Sequence, residues 1–125
     1  MSSKTQIKKL ERQRQTLIQD LLHTQQMIRG SFGTVTRKCG KPNCWCVEGT
    51  GHPVNRITWT EKARSRTKAI PAADATWVET MTDNYRRFRK NRQALRTLER
   101  KINTAVDDLE AKIVDVTKRQ KEYFK

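Results

Sequence analysis

Apolar residues recur along this chain with two periods, and the change from one to the other divides it in three. From Lys4 onward Ile7, Leu10, Leu17, Leu21 and Ile28 fall on 3-4 spacing among Lys, Arg, Gln and Glu, with neither Pro nor Gly before Gly30. That is the seam of a helix packing along one narrow face, and the pattern predicts a helix over residues 4–29. Arg29 suits the negative end of its dipole, and Gly30 would serve as its C-terminal cap. Residues 31–70 change to β-formers and turn residues. Ser31–Arg37 (SFGTVTR), Val54–Thr60 (VNRITWT) and Arg66–Ile70 (RTKAI) read as three short strands, with EKARS as the loop between the last two. Alternation puts Ile57 and Trp59 on one face of their strand and groups Arg64, Arg66 and Lys68 on one face of the next, giving the small sheet a cationic side.

The helical period returns after Pro71. Trp77, Met81, Tyr85 and Phe88 begin a stripe that Leu95, Leu98, Ile102 and Ala105 continue. Val106, Leu109, Ile113, Val116 and Tyr123 then follow on a seam displaced as by a stutter. The spacing predicts a long helix over 72–123, with a possible break near 103–107 at Asn103-Thr104 and Asp107-Asp108. The expected fold is α+β, mainly α, in a single domain 1–125. Two helices form an antiparallel hairpin or coiled coil, with the β-module inserted at its tip. The second helix outreaches the first, so Ile102, Val106, Leu109, Ile113 and Val116 are candidates for self-association.

Composition adds a stability problem. Leu, Ile, Val and Phe make up roughly a fifth of the chain, the range of disordered proteins. A metal staple offers one remedy, because its binding energy is folding energy. The donors lie in one loop: Cys39, Cys44, Cys46 and His52, spaced C-x4-C-x-C-x5-H. Three thiolates and an imidazole supply a closed tetrahedral Zn2+ site that leaves no coordination position for chemistry. Disulfides fit poorly, since the cysteine count is odd and no secretory leader is evident. A catalytic Cys–His pair would need fewer thiols. The strands around this loop are too short to be stable alone, so the metal is expected to hold them.

With 27 basic residues against 13 acidic ones the net charge is +14, which favours a polyanionic partner. Candidate contacts to nucleic acid are Arg37, Lys38, Lys41, Trp45, Arg56, Arg64, Arg66 and Lys68 in the middle section. Arg86, Arg87, Arg89, Lys90 and Arg92 extend them along the second helix. Duplex DNA is the first expected partner and RNA the second, bound mainly through phosphates. Asp74, Glu79 and Asp83 are the ordinary acids of a helix start rather than a catalytic group, so no enzyme is expected. No apolar run spans a membrane, and the chain reads as cytoplasmic. The alternative function is a coiled-coil interaction adaptor, or an inhibitor that regulates a nucleic-acid enzyme.

Several stretches together carry a resemblance: Arg29-Gly-Ser31, the run Arg37-Lys-Cys39-Gly-Lys-Pro-Asn-Cys44-Trp-Cys46, the Gly-flanked His52 and Asn84-Tyr-Arg-Arg-Phe88. They resemble a family of short prokaryotic proteins described only as a domain of unknown function, often found near transposases and other mobile-element genes. The resemblance implies the same Cys3His site and a mobile-element setting, and the expected role is that of a mobile-element or phage accessory factor. It implies no activity.

Overall fold

The computed structural model describes residues 2–49 and 51–125. The protein is α+β and mainly helical, with one three-stranded antiparallel sheet. It packs as two compact units, residues 25–87 and a second made of 1–24 with 88–125.

In the second unit, α1 (Ser3–Leu22) starts from Ser2, whose hydroxyl accepts the Thr5 backbone N–H and so caps the helix. α1 ends six residues before Ile28. His23 turns both its backbone N–H and its ring Nδ1 to the Gln19 carbonyl, while the Thr24 hydroxyl donates to Asp20 O. These bonds satisfy the terminal carbonyls locally, so the expected helix 4–29 stops at Leu22 and Ile28 leaves the seam. Leu10 is buried with Leu98 and Ala105, and Ile7, Leu17 and Ile102 pack against them. Ser3 Oγ accepts a hydrogen bond from Lys112 Nζ, and Arg14 lies 3.9 Å from Glu99.

The first unit is built on the sheet, in the order β1 (Ser31–Arg37), β2 (His52–Glu61), β3 (Arg64–Ala69). The register pairs Phe32 with Ile57 and Arg37 with His52, then Ile57 with Lys68 and Trp59 with Arg66. Phe32, Ile57 and Trp59 therefore share a face with Arg64, Arg66 and Lys68. Arg37, Val54, Arg56, Thr58 and Thr67 lie on the other, where the Thr58 and Thr67 hydroxyls meet at 3.3 Å. The β2–β3 strands run longer than EKARS as a five-residue loop would allow. The turn has shrunk to Lys62 and Ala63, at φ 50° and 62°. Two consecutive left-handed residues are what a two-residue hairpin needs to match strand twist, and neither is the glycine or asparagine that would advertise it.

Gly30 does not cap α1. It enters β1 at φ 153°, and a methyl group there would sit 3.1 Å from the Ile57 side chain. The preceding segment is tied to the next helix, where Ile28 N–H donates to Met81 O and Asn84 Nδ2 to Gln26 O.

After one 3-10 turn at Ala72–Asp74, α2 runs unbroken from Ala75 to Lys118. No break occurs at 103–107: Asn103 and Thr104 are exposed, and Ala105 is buried in the Leu10 cluster. α2 stops short of the expected 123. Arg119, Gln120 and Lys121 close it with tightening turns, and Tyr123 falls in a separate 3-10 turn at Glu122–Phe124. Among the described residues, no helix is long and apolar enough to cross a membrane.

Candidate metal centre

The loop between β1 and β2 is closed at its base by the sheet itself, through the pairing of Arg37 with His52. Gly51, at φ 102° and buried, brings the chain back over the Arg37 backbone, an approach that excludes any side chain. Cys39 stands just past the end of β1, Cys44 precedes a short 3-10 turn (Trp45–Val47), Cys46 is the buried residue inside that turn, and His52 opens β2. Lys38 ties the two limbs together by donating from Nζ to the Val47 carbonyl at 3.0 Å.

The four side chains converge. Their three Sγ atoms and one imidazole nitrogen all lie within 4.8 Å of one another. Cys39 and Cys46 sulfurs are 3.5 Å apart, and Cys44 Sγ is 3.1 Å from His52 Nε2. A tetrahedral zinc ion with its usual bond lengths would set sulfurs ~3.8 Å apart and sulfur from nitrogen ~3.5 Å. Both of these pairs are a few tenths of an ångström closer than that, and no pair of the four ligand atoms is more than 4.8 Å apart, so small side-chain shifts would let the donor set surround such an ion.

The site favours thiolate at one position and thiol at another. The backbone N–H of Lys41, helped by the Cys46 side chain, draws Cys39 down to about 7 from an ordinary 9.0. At Cys46 the backbone N–H of Cys39 also favours thiolate, but burial and the neighbouring Cys39 and Cys44 sulfurs outweigh it and push the thiol up. Three thiols crowded together with an imidazole are the state a cation would relieve.

Trp45 is 62 % exposed. It meets His52 edge-on, with ring centroids 4.9 Å apart at 69°, and lies over Gly49. It therefore covers the site histidine while keeping an open face.

The family model of a domain of unknown function, DUF6788, matches residues 7–80, more than half the chain. The protein belongs to the DUF6788 family. No curated protein and no solved structure matches it. The matched part of this DUF6788 protein contains all four donors and the whole sheet.

The candidate nucleic-acid contacts divide between the two units, with Arg89, Lys90 and Arg92 in the unit of α1 and the others in the unit of the sheet. Several of the expected phosphate ligands already have partners. Arg66 lies 3.4 Å from Glu61, Arg86 pairs with Asp83, Arg87 donates to Asn84 Oδ1, and Lys38 is held by Val47. Among the described residues Arg56, Arg64 and Lys68 make no ion pair, and β3 is exposed along its whole length. Of the expected oligomerisation residues, Ile102 is instead packed inside its own unit. Leu109 is half-buried, and Val106, Ile113 and Val116 are exposed.

Sequence reasoning gave no role to Asn84. It is buried, donates to Gln26 O and accepts from Arg87. Its signal in the sequence is its place at the head of the Asn84–Phe88 run that carries the family resemblance.

Proposed function

We propose that this DUF6788 protein is a zinc-stapled, non-enzymatic nucleic-acid-binding protein. It would act through phosphates on duplex DNA first and RNA second. In this reading Cys39, Cys44, Cys46 and His52 fill all four coordination positions of Zn2+, so the ion organises the loop and does no chemistry. A reducing cytoplasm keeps the three thiols available for it.

The observation that carries the reading is β3. Every residue of this edge strand is exposed, and Arg64 and Lys68 present unpaired charge beside Trp59 on one sheet face. Arg56 adds a cation on the other face. Edge strands often carry charge simply to avoid aggregation. Here that charge belongs to a chain of net +14, on a sheet whose connecting loop the proposed ion would stiffen. Duplex major grooves admit a two-stranded ribbon of this size. α1 and the second half of α2 complete the reading as an antiparallel helical hairpin: Ser3 meets Lys112, Leu10 meets Ala105 and Leu98, and Arg14 meets Glu99. The setting of a mobile-element or phage accessory factor follows from the sequence resemblance.

The test is a fluorescence-anisotropy titration of duplex DNA, single-stranded DNA and RNA across a salt series. Contacts to ~6–8 phosphates give a log–log slope of about −5 to −7 on duplex DNA. Charge reversal at Arg64 and Lys68 is expected to flatten that slope by about 2, whereas reversal at the already partnered Arg87 changes it little. Absence of binding near physiological salt would sink the proposal and favour the adaptor reading.

A further inference from the structure

On α2, Val106, Ile113 and Val116 are exposed at 44 %, 53 % and 56 %, and with half-buried Leu109 between them they form a seam on 3-4 spacing, displaced from the stripe buried through Leu98, Ile102 and Ala105. α1 meets the neighbouring flank, where Ser3 holds Lys112. Single half-exposed valines are ordinary on any protein surface. The charge around this stripe is not ordinary. In a chain of net +14 the stretch 106–125 is electrically neutral, and its charge is polarised. Asp107, Asp108 and Glu110 lead, and Lys118, Arg119 and Lys121 follow. Elsewhere two copies of this protein repel one another; here they do not.

Polarity then selects the partner and its direction. Laid parallel, a second copy would face acid with acid and base with base. Laid antiparallel with Ile113 facing Val116 of the second copy, the acidic end of one segment (Asp107, Asp108 and Glu110) comes beside the basic end of the other (Lys118, Arg119 and Lys121), where Arg119 already lies 2.6 Å from its own Asp115. We propose that residues 106–125 form an antiparallel, two-fold symmetric contact with the same segment of a second copy. The contact is isologous, so each favourable pair occurs twice. Its core is the apolar stripe; its direction and selectivity come from the flanking charge. The exposed Tyr123–Phe124 pair, with ring centroids 4.7 Å apart, gains cover at the ends of the contact. The inference is independent of the nucleic-acid reading and needs neither nucleic acid nor metal.

Sedimentation equilibrium of the full zinc-loaded chain over a wide concentration range tests it. The wild type is expected to be dimeric at micromolar concentration. Ile113→Asp with Val116→Asp is expected to give a monomer of unchanged helical content, because neither residue belongs to the Leu10 cluster. Reversing Asp107, Asp108 and Glu110 to Lys is expected to weaken the dimer by about ten- to a hundredfold. Adding Lys118→Glu, Arg119→Glu and Lys121→Glu to that variant exchanges the two poles and is expected to restore it. A monomeric wild type overturns the proposal. A dimer indifferent to the first reversal, or one that the exchange does not restore, overturns the antiparallel pairing.

Discussion

Gly51 lies so close to the Arg37 backbone that a methyl group on it would stand 2.7 Å from the Arg37 carbonyl carbon. The contact is backbone to backbone, so no side chain can move aside to relieve it. It sets the spacing between the start of β2, where His52 sits, and the end of β1, two residues before Cys39.

Gly51→Ala is therefore expected to cost about 2–3 kcal/mol and to weaken metal retention, from both the clash and the φ of 102°. Gly33→Ala is the control, since nothing lies within 4 Å of its added methyl. Thermal melts of the two variants should separate clearly. Equal melting temperatures would mean that the loop does not close as described.

If the Cys3His cluster holds the proposed ion, removing it is expected to release the loop and loosen the sheet while leaving the Leu10 cluster of α1 and α2 intact. Circular dichroism of chelated protein should retain most of its helical signal, and Trp45 emission should change as His52 moves away from its edge. Cys39→Ser and His52→Ala should each reproduce this state. Full retention of zinc by both variants would remove the Cys3His assignment.

Proton competition gives metal uptake a definite sign with pH. Cys39, lowered to about 7, is already partly thiolate at neutral pH, whereas the raised Cys46 must lose a proton on binding. In the metal-free fold the Cys39 thiolate adds stability above the ordinary value of 9.0, and that contribution is lost as pH falls through about 7. Zinc affinity, measured against a competing chelator, should therefore rise from pH 6 to pH 8 with net proton release. A flat profile would exclude thiolate ligation.

Ala63→Gly is expected to stabilise the protein by about 0.5–1 kcal/mol, because Ala63 occupies φ 62° in the two-residue turn. Urea midpoints at unchanged slope would record the gain. Loss of stability would mean that the turn is not left-handed in solution.

Asn84→Ala is expected to cost about 1–3 kcal/mol, since it leaves Gln26 O without its donor and Arg87 without its acceptor. Asn84→Asp should not rescue it, because a carboxylate cannot donate to a carbonyl. Hydrogen exchange at Ile28, whose N–H is held by Met81 O, is the local readout.

The Cys3His cluster was legible in the sequence because Cys39, Cys44, Cys46 and His52 are close in the chain, so spacing alone brings them together. β1 was legible for the same reason, as a β-rich run between a glycine and the first cysteine. The end of α1 was not. Ile28 keeps the heptad spacing, and only the His23 and Thr24 side-chain bonds and the distant grip of Met81 and Asn84 take it out of the helix. The Lys62-Ala63 turn was hidden because its residues do not favour the conformation they adopt; the strand pairing on either side imposes it. α2 carried helix-breaking signals at Asn103-Thr104 that a continuous packed face at Ala105 overrides.

Every strand neighbours the next in sequence, and the four donors all fall between Cys39 and His52, so the sheet and its loop are built from one continuous stretch of chain. During synthesis this part emerges while most of α2 is still unmade. An ion captured at that stage would fix the β1–β2 hairpin early, before the long helix could offer competing apolar surface. Zinc supply would then act on the yield of correctly folded chains as they are made, more than on the stability of those already complete.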